Sequence, residues 1–353
     1  MGEYLPSKII KMLHLDIKQP ALIKAEKTGR VDAAIRRKRG KSEFRYFPSS
    51  AIPSIGKAFA KLPAPEDCVV TSVFVSKGGV GKTTTTYNYA RFLALHGLRV
   101  LAIGTDFQRS LSRYFGLDIN EKTYSLFELI GNTHGSPVTS IRQIIKATDL
   151  PNMFYVPESK ELNFLDMFLY SKTNRERLLN DALEPIKSDF DAIVIDCPPW
   201  WSQLVSNALY ASDCIIGPLT AEADSEYAFS GGLDAIQRFR QEIGKNWSMV
   251  KFFISAIDLR NKIEKEVQED ILSQYSNVFS PSYARRAVHV KEASALAQSV
   301  MEYDPASAVA DDLYNVYYDL WSSSVLAKNA SIVTNDSSSK VRAKRKRNQE
   351  AVR

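Results

Sequence analysis

The chain has 353 residues, 44% hydrophobic and 24% charged, enough for one α/β domain of roughly 250 residues plus a small module and too apolar for a disordered chain. Its net charge of +6 hides three blocks: +7 over residues 1–67, −7 over the body and +6 over residues 328–353. Cys68, Cys197 and Cys214 lie far apart in apolar runs without metal-ligand spacing, which excludes a disulfide framework and predicts a reducing compartment. A leader pattern is absent and the apolar runs are strand-length, so a soluble cytoplasmic protein is expected.

In chain order, the basic head divides into two short helices joined by a tight turn, a basic hairpin and a further helix. Ile9, Ile10, Leu13, Leu15, Leu22 and Ile23 supply one apolar side, and Lys18 to Lys27 the second helix. ALIKAEKTGRV followed by KSEFRYF resembles the winged helix-turn-helix of MerR-like modules. The resemblance implies a DNA contact through Lys24, Lys27 and Arg30 and a wing bearing Arg36, Arg37, Lys38, Arg39, Lys41 and Arg45. Phosphate contacts there would give affinity and salt dependence, and the second helix sequence choice. A solvated basic face is the alternative. The stretch Pro53 to Pro65 reads as a linker, with a domain boundary near residue 65.

From Cys68 onward, strand-length apolar runs alternate with helix-length segments: 69–75, 99–104, 153–157, 191–196, 214–219 and 251–257. They lack in/out alternation, as parallel strands covered on both faces do, and predict a doubly wound, mostly parallel α/β sheet. The first run leads through SKGGVGKTTTT into a helix, the context of a phosphate loop. Gly78, Gly79 and Gly81 free the backbone around Val80 to turn its N–H groups toward phosphate at a helix N-terminus. Lys82 supplies a charge for the β and γ phosphates, and the Thr83 hydroxyl, followed by Thr84, is suited to Mg2+.

Lys77 before the first glycine gives KGGVGKTT two lysines, and here the chain resembles the ParA/MinD family of deviant Walker ATPases. The resemblance implies that Lys77 reaches the partner's phosphates across an ATP-sandwich homodimer, as an arginine finger does. LRVLAIGTDFQRS resembles the family's Asp-x-Asp-Pro-Gln. Asp106 matches the second carboxylate, which helps position the attacking water; Gly104 replaces the first and Phe107 the proline. A helix N-cap is the alternative for Asp106. DAIVID ends a buried strand on Asp196, placed to hold a Mg2+-bound water. Cys197-Pro198-Pro199 resembles the family's Thr-Pro-Pro, and Trp200 and Trp201 beside it are expected to pack or to face a dimer surface.

The resemblance covers about residues 68–322, and Arg260 and Arg286 lie at or near places where some members contact DNA. It implies ATP and Mg2+ as cofactors, nonspecific DNA and an operator as ligands, and a ParB-like centromere-binding partner. Residues 328–353, rich in Ser, Lys and Arg and without apolar periodicity, are expected to be a mobile basic tail with no membrane anchor. The expected function is ATP-dependent plasmid or chromosome partition in association with the nucleoid. A nucleotide-switched regulator and a MinD-like positioning ATPase are the alternatives.

Overall fold

A computed structural model describes the backbone of residues 2–40, 42–118, 120–131, 136–222 and 225–350; side chains of Arg39 and of residues 332–350 lie outside the described part. Lys41 of the expected wing also falls outside it. The head runs β1 (Glu3–Tyr4), α1 (Pro6–Met12), α2 (Gln19–Lys27), β2 (Ile35–Arg39), β3 (Ser42–Pro48) and α3 (Ile52–Phe59). Pro6 and Pro20 sit in the first turns of their helices, where the missing N–H costs nothing. The antiparallel pair β2–β3 forms a basic hairpin, with Arg36 opposite Arg45 and Lys38 opposite Glu43, and β1 extends it beside β3.

The body runs β4 (Val69–Val73), α4 (Lys82–Leu95), β5 (Val100–Gly104), α5 (Ser110–Tyr114), α6 (Leu126–Ile130), β6 (Lys146–Ala147), β7 (Met153–Val156), α7 (Leu162–Tyr170) and α8 (Leu178–Leu183). It continues with β8 (Ala192–Asp196), α9 (Gln203–Ala211), β9 (Cys214–Thr220), α10 (Ser225–Ile243), β10 (Met249–Ser255), α11 (Lys262–Tyr275), α12 (Val288–Ala295), α13 (Val300–Tyr303) and α14 (Ala308–Glu350). The sheet order is β10-β9-β4-β8-β5-β7-β6, parallel except for the β6 edge. All six predicted strand runs are in it.

Strand side chains alternate between two cores because successive residues point to opposite faces. Val69, Val73, Val100, Ala102, Ala192 and Val194 pack under α4, α13, α14 and the head. Val70, Leu101, Ile103, Ile193 and Ile195 pack under the helices of the other face, including α7, α8 and α9. The cysteines are buried free thiols, and burial pushes each up to about 12.

Two expectations about the ends change. The further helix expected after the hairpin is the buried α3, which takes up the first part of the Pro53 to Pro65 stretch expected as a linker, and a Cβ on Gly56 would lie 2.1 Å from the Leu95 carbonyl oxygen. Head residues Ile9, Leu22, Phe47, Ile52 and Ile55 share one core with Phe92, Tyr317 and Trp321 of the body, and Trp321 Nε1 donates to the Pro63 carbonyl at 2.7 Å. At the other end, α14 continues through Glu350 where a tail without regular structure was expected. Its described part is anchored: Lys328 pairs with Asp213 at 2.5 Å, and Ser331 bonds Ser248 at 3.1 Å.

Candidate nucleotide and phosphate site

The site lies at the carboxyl ends of β4, β5 and β8, where an open parallel sheet binds ligands. The turn from β4 into α4 needs glycine at two places: Gly79 and Gly81 have φ of +74° and +93°, a left-handed backbone costly for other residues. Gly78 does not share that conformation, so its expected role in the turn is not required by the backbone. Gly81 is the N-cap of α4, and the helix dipole points its positive end into the loop. A cleft of about 680 Å³ is lined here by Gly79, Gly81, Lys82, Thr83, Thr84 and Asp106, with Arg113, Tyr114, Trp200 and Ser294 at its sides.

Lys82 is buried and its ammonium donates to the Lys77 carbonyl at 2.5 Å. Burial lowers its pKa, with Asp196 opposing. Asp196 is fully buried at the end of β8; its two oxygens accept hydrogen bonds from Thr83 Oγ1 and Thr86 Oγ1, each at 2.8 Å. Burial pushes its carboxyl up to about 6 while the threonine hydroxyls pull it back. Thr86 was missed in the sequence, although residues 83 and 86 are one turn apart and share a helix face. Asp106 is raised by burial, and its Oδ1 accepts from the Gln108 N–H at 2.9 Å. The N-cap of α5 is Arg109, so Asp106 does not cap that helix.

The Lys77 ammonium donates to Glu222 Oε2 and to Ser225 Oγ of α10, both at 2.9 Å. Thr84 Oγ1 meets the Tyr114 hydroxyl at 3.0 Å, which meets Ser294 Oγ at 2.9 Å, so the loop's helix is tied to α12. Val80 is buried and its carbonyl accepts from Ser255 Oγ at 3.2 Å. Trp201 packs edge-on against Phe74 and Phe239, whereas Trp200 contacts Phe107 at the cleft wall.

The basic residues expected at DNA fall into two groups. On the head, Lys24, Lys27, Arg36 and Lys38 are exposed, Arg36 pairing with Glu43 at 3.6 Å across the hairpin. Arg37 pairs with Glu3, and Arg45 with Glu26 at 3.4 Å. Arg30, also exposed, lies along α3, donating to the Ala58 carbonyl at 2.8 Å and stacking over Phe59. On the body, Arg260 is bidentate on Asp258, and Arg286 bonds Glu264 at 3.1 Å. The Asp258 N–H donates to Glu264, so the two pairs adjoin.

A parallel sheet ending in a glycine loop, a buried lysine and a hydroxyl-bound aspartate defines a P-loop nucleotide-binding protein. Residues 69–251 match the AAA domain family (AAA_31). The chain is 30% identical over 239 residues to the chromosome-partitioning ATPase Soj of Treponema pallidum, covering 67% of this chain and 91% of that one. It is 28% identical over 251 residues to the sporulation initiation inhibitor protein Soj of Bacillus subtilis, covering 71% and 96%. Among solved structures it is similar to cobyrinic acid a,c-diamide synthase of Mycobacterium smegmatis with bound ADP and magnesium, at 27% identity, TM-score 0.57, and 67% and 91% coverage. The chain belongs to this AAA domain family, as a ParA-type P-loop ATPase.

Proposed function

We propose that the protein is an ATP-dependent DNA segregation ATPase acting in plasmid or chromosome partition. The observation that carries this is the buried contact of Asp196 with Thr83 beside Lys82, in a loop that also bears Lys77. The chromosome-partitioning ATPase Soj of Treponema pallidum is the relative that points to the process.

The residues present fit Mg2+: a hydroxyl and a carboxylate oxygen 2.8 Å apart are hard donors, and the buried carboxyl gains from a cation. Among the described residues there is no cluster of three or more His, Cys, Asp or Glu that could hold a metal unaided, so nucleotide and water would complete the shell. With ATP, Mg2+ would neutralise charge on the β and γ oxygens. Thr83 and Asp196 would hold it, Lys82 would balance the γ-phosphate, and Asp106 would orient the attacking water. The N–H groups of Gly78 through Thr84 would cradle the phosphates. Lys77 of a second copy would close an ATP-sandwich homodimer, which requires Lys77 to leave Glu222 and Ser225.

DNA would be met nonspecifically by the dimer, Arg260 and Arg286 included, and at an operator by the head. The two short helices followed by a basic hairpin support a winged helix-turn-helix, and they also favour a second reading, a nucleotide-switched regulator. No helix of the described residues is long and apolar enough to cross a membrane. ATP turnover is to be measured alone, with nonspecific DNA, and with a ParB-like protein. Stimulation by DNA and partner together is expected, and Lys82→Ala should lose about 100-fold or more. Wild-type turnover in that variant sinks the assignment. Operator binding without stimulated turnover favours the regulator, and ATP-dependent liposome binding without DNA binding favours a positioning ATPase.

A further inference from the structure

The β5 end of the site departs from the motif it resembles, since Gly104 stands where a carboxylate was expected. The volume at residue 104 is filled from elsewhere. A Cβ built on Gly104 would lie 2.2 Å from Cγ, 2.4 Å from Cδ and 2.6 Å from Oε1 of Glu158, which follows β7 and is fully buried. Glu158 therefore occupies the space a side chain at residue 104 would enter.

The same residue grips the other end of the loop that bears Asp106. Glu158 Oε2 accepts from the Ser112 N–H at 3.0 Å and from Ser112 Oγ at 3.1 Å, while the Glu158 N–H donates to Ser112 Oγ at 2.8 Å. Ser112 lies in the first turn of α5. Residues 105–109 thus span two points that both bear on Glu158: the backbone of Gly104, which pairs with Asp196 in the sheet, and the start of α5. Glu158 Oε1 is buried without a hydrogen-bond partner, a costly arrangement for a residue with only a packing role.

We propose that Glu158 is a positioning residue of the ATP site, filling from the end of β7 the space that glycine at 104 leaves and fixing, through Ser112, the loop that presents Asp106. This rests on the ATPase reading above.

The test is a swap in the full chain, read by single-turnover hydrolysis of pre-bound Mg2+-ATP and by ATP affinity. Glu158→Ser should slow hydrolysis about 10-fold with the ATP Kd within about threefold, because misplacing a catalytic group by an ångström costs rate rather than binding. Glu158→Gln keeps the shape and an oxygen for Ser112 and should stay within about threefold of wild type. Adding Gly104→Asp to Glu158→Ser should bring the rate back to within about threefold of wild type. Hydrolysis at the wild-type rate in folded Glu158→Ser overturns the proposal, as does a folded double variant no faster than Glu158→Ser. If Glu158→Ser does not fold, the folded double variant decides: a wild-type rate supports the proposal and a rate about 10-fold lower overturns it. Absence of hydrolysis in the wild-type protein would instead overturn the ATPase reading.

Discussion

Two buried carboxyls at the carboxyl ends of β7 and β8 are raised by burial, Asp196 to about 6 and Glu158 to about 8. A carboxyl raised on folding binds more protons in the native state than in the unfolded chain between its two pKa values. Its contribution to stability therefore falls as pH rises through that window. For Glu158 the window runs from its ordinary range near 4.5 up to about 8. Between pH 6.5 and 7.5 the nucleotide-free wild type should lose about 1 kcal/mol of stability relative to Glu158→Gln, measured by urea unfolding of both. Equal slopes for the two proteins would place the shift elsewhere. Lys82, Thr83 and Asp196 were legible in the sequence because a loop motif and a strand end mark them locally. Glu158 was not, since its meaning depends on Gly104, distant along the chain and brought beside it by the pairing of β5 with β7.

At the scale of elements, α4 connects the site to the head. Its first residue is Lys82, and near its other end Arg91 is buried between Glu302 of α13 and Asp149. The Tyr4 hydroxyl of β1 donates to the same Glu302 at 3.3 Å, and Leu95 meets α3. Removing one member of such a buried ionic cluster leaves the others charged and unpaired. Arg91→Met should destabilise the protein by about 3–5 kcal/mol, and Arg91→Met with Glu302→Leu should recover much of that loss, both read from urea midpoints at constant m-value. The strand runs were legible because burial on both faces makes them continuously apolar. Helix α3 is the further helix expected after the hairpin, and it overlaps the stretch read as a linker because Pro53 lies in its first turn, where proline is tolerated.

For the whole molecule, a domain boundary was expected near residue 65, and head and body residues on its two sides share one core. Deleting residues 1–67 would uncover Val69, Phe92, Tyr317 and Trp321, so an insoluble chain or one melting at least about 10 °C lower is expected by calorimetry. The head's role is better tested by Arg36→Glu with Lys38→Glu on the exposed hairpin, which should keep the melting temperature. They should lower DNA affinity and flatten its dependence on salt by about two phosphate contacts. An unchanged salt slope would remove the hairpin from the DNA surface. The three thiols carry a separate consequence. Each is buried and holds its proton far above neutral pH, so none offers a thiolate to an alkylating probe in the native protein. A cysteine placed at exposed Tyr227, near Lys77's resting place on α10, would be the single site to take a fluorophore, so the approach of two copies could be followed by energy transfer in otherwise unaltered protein.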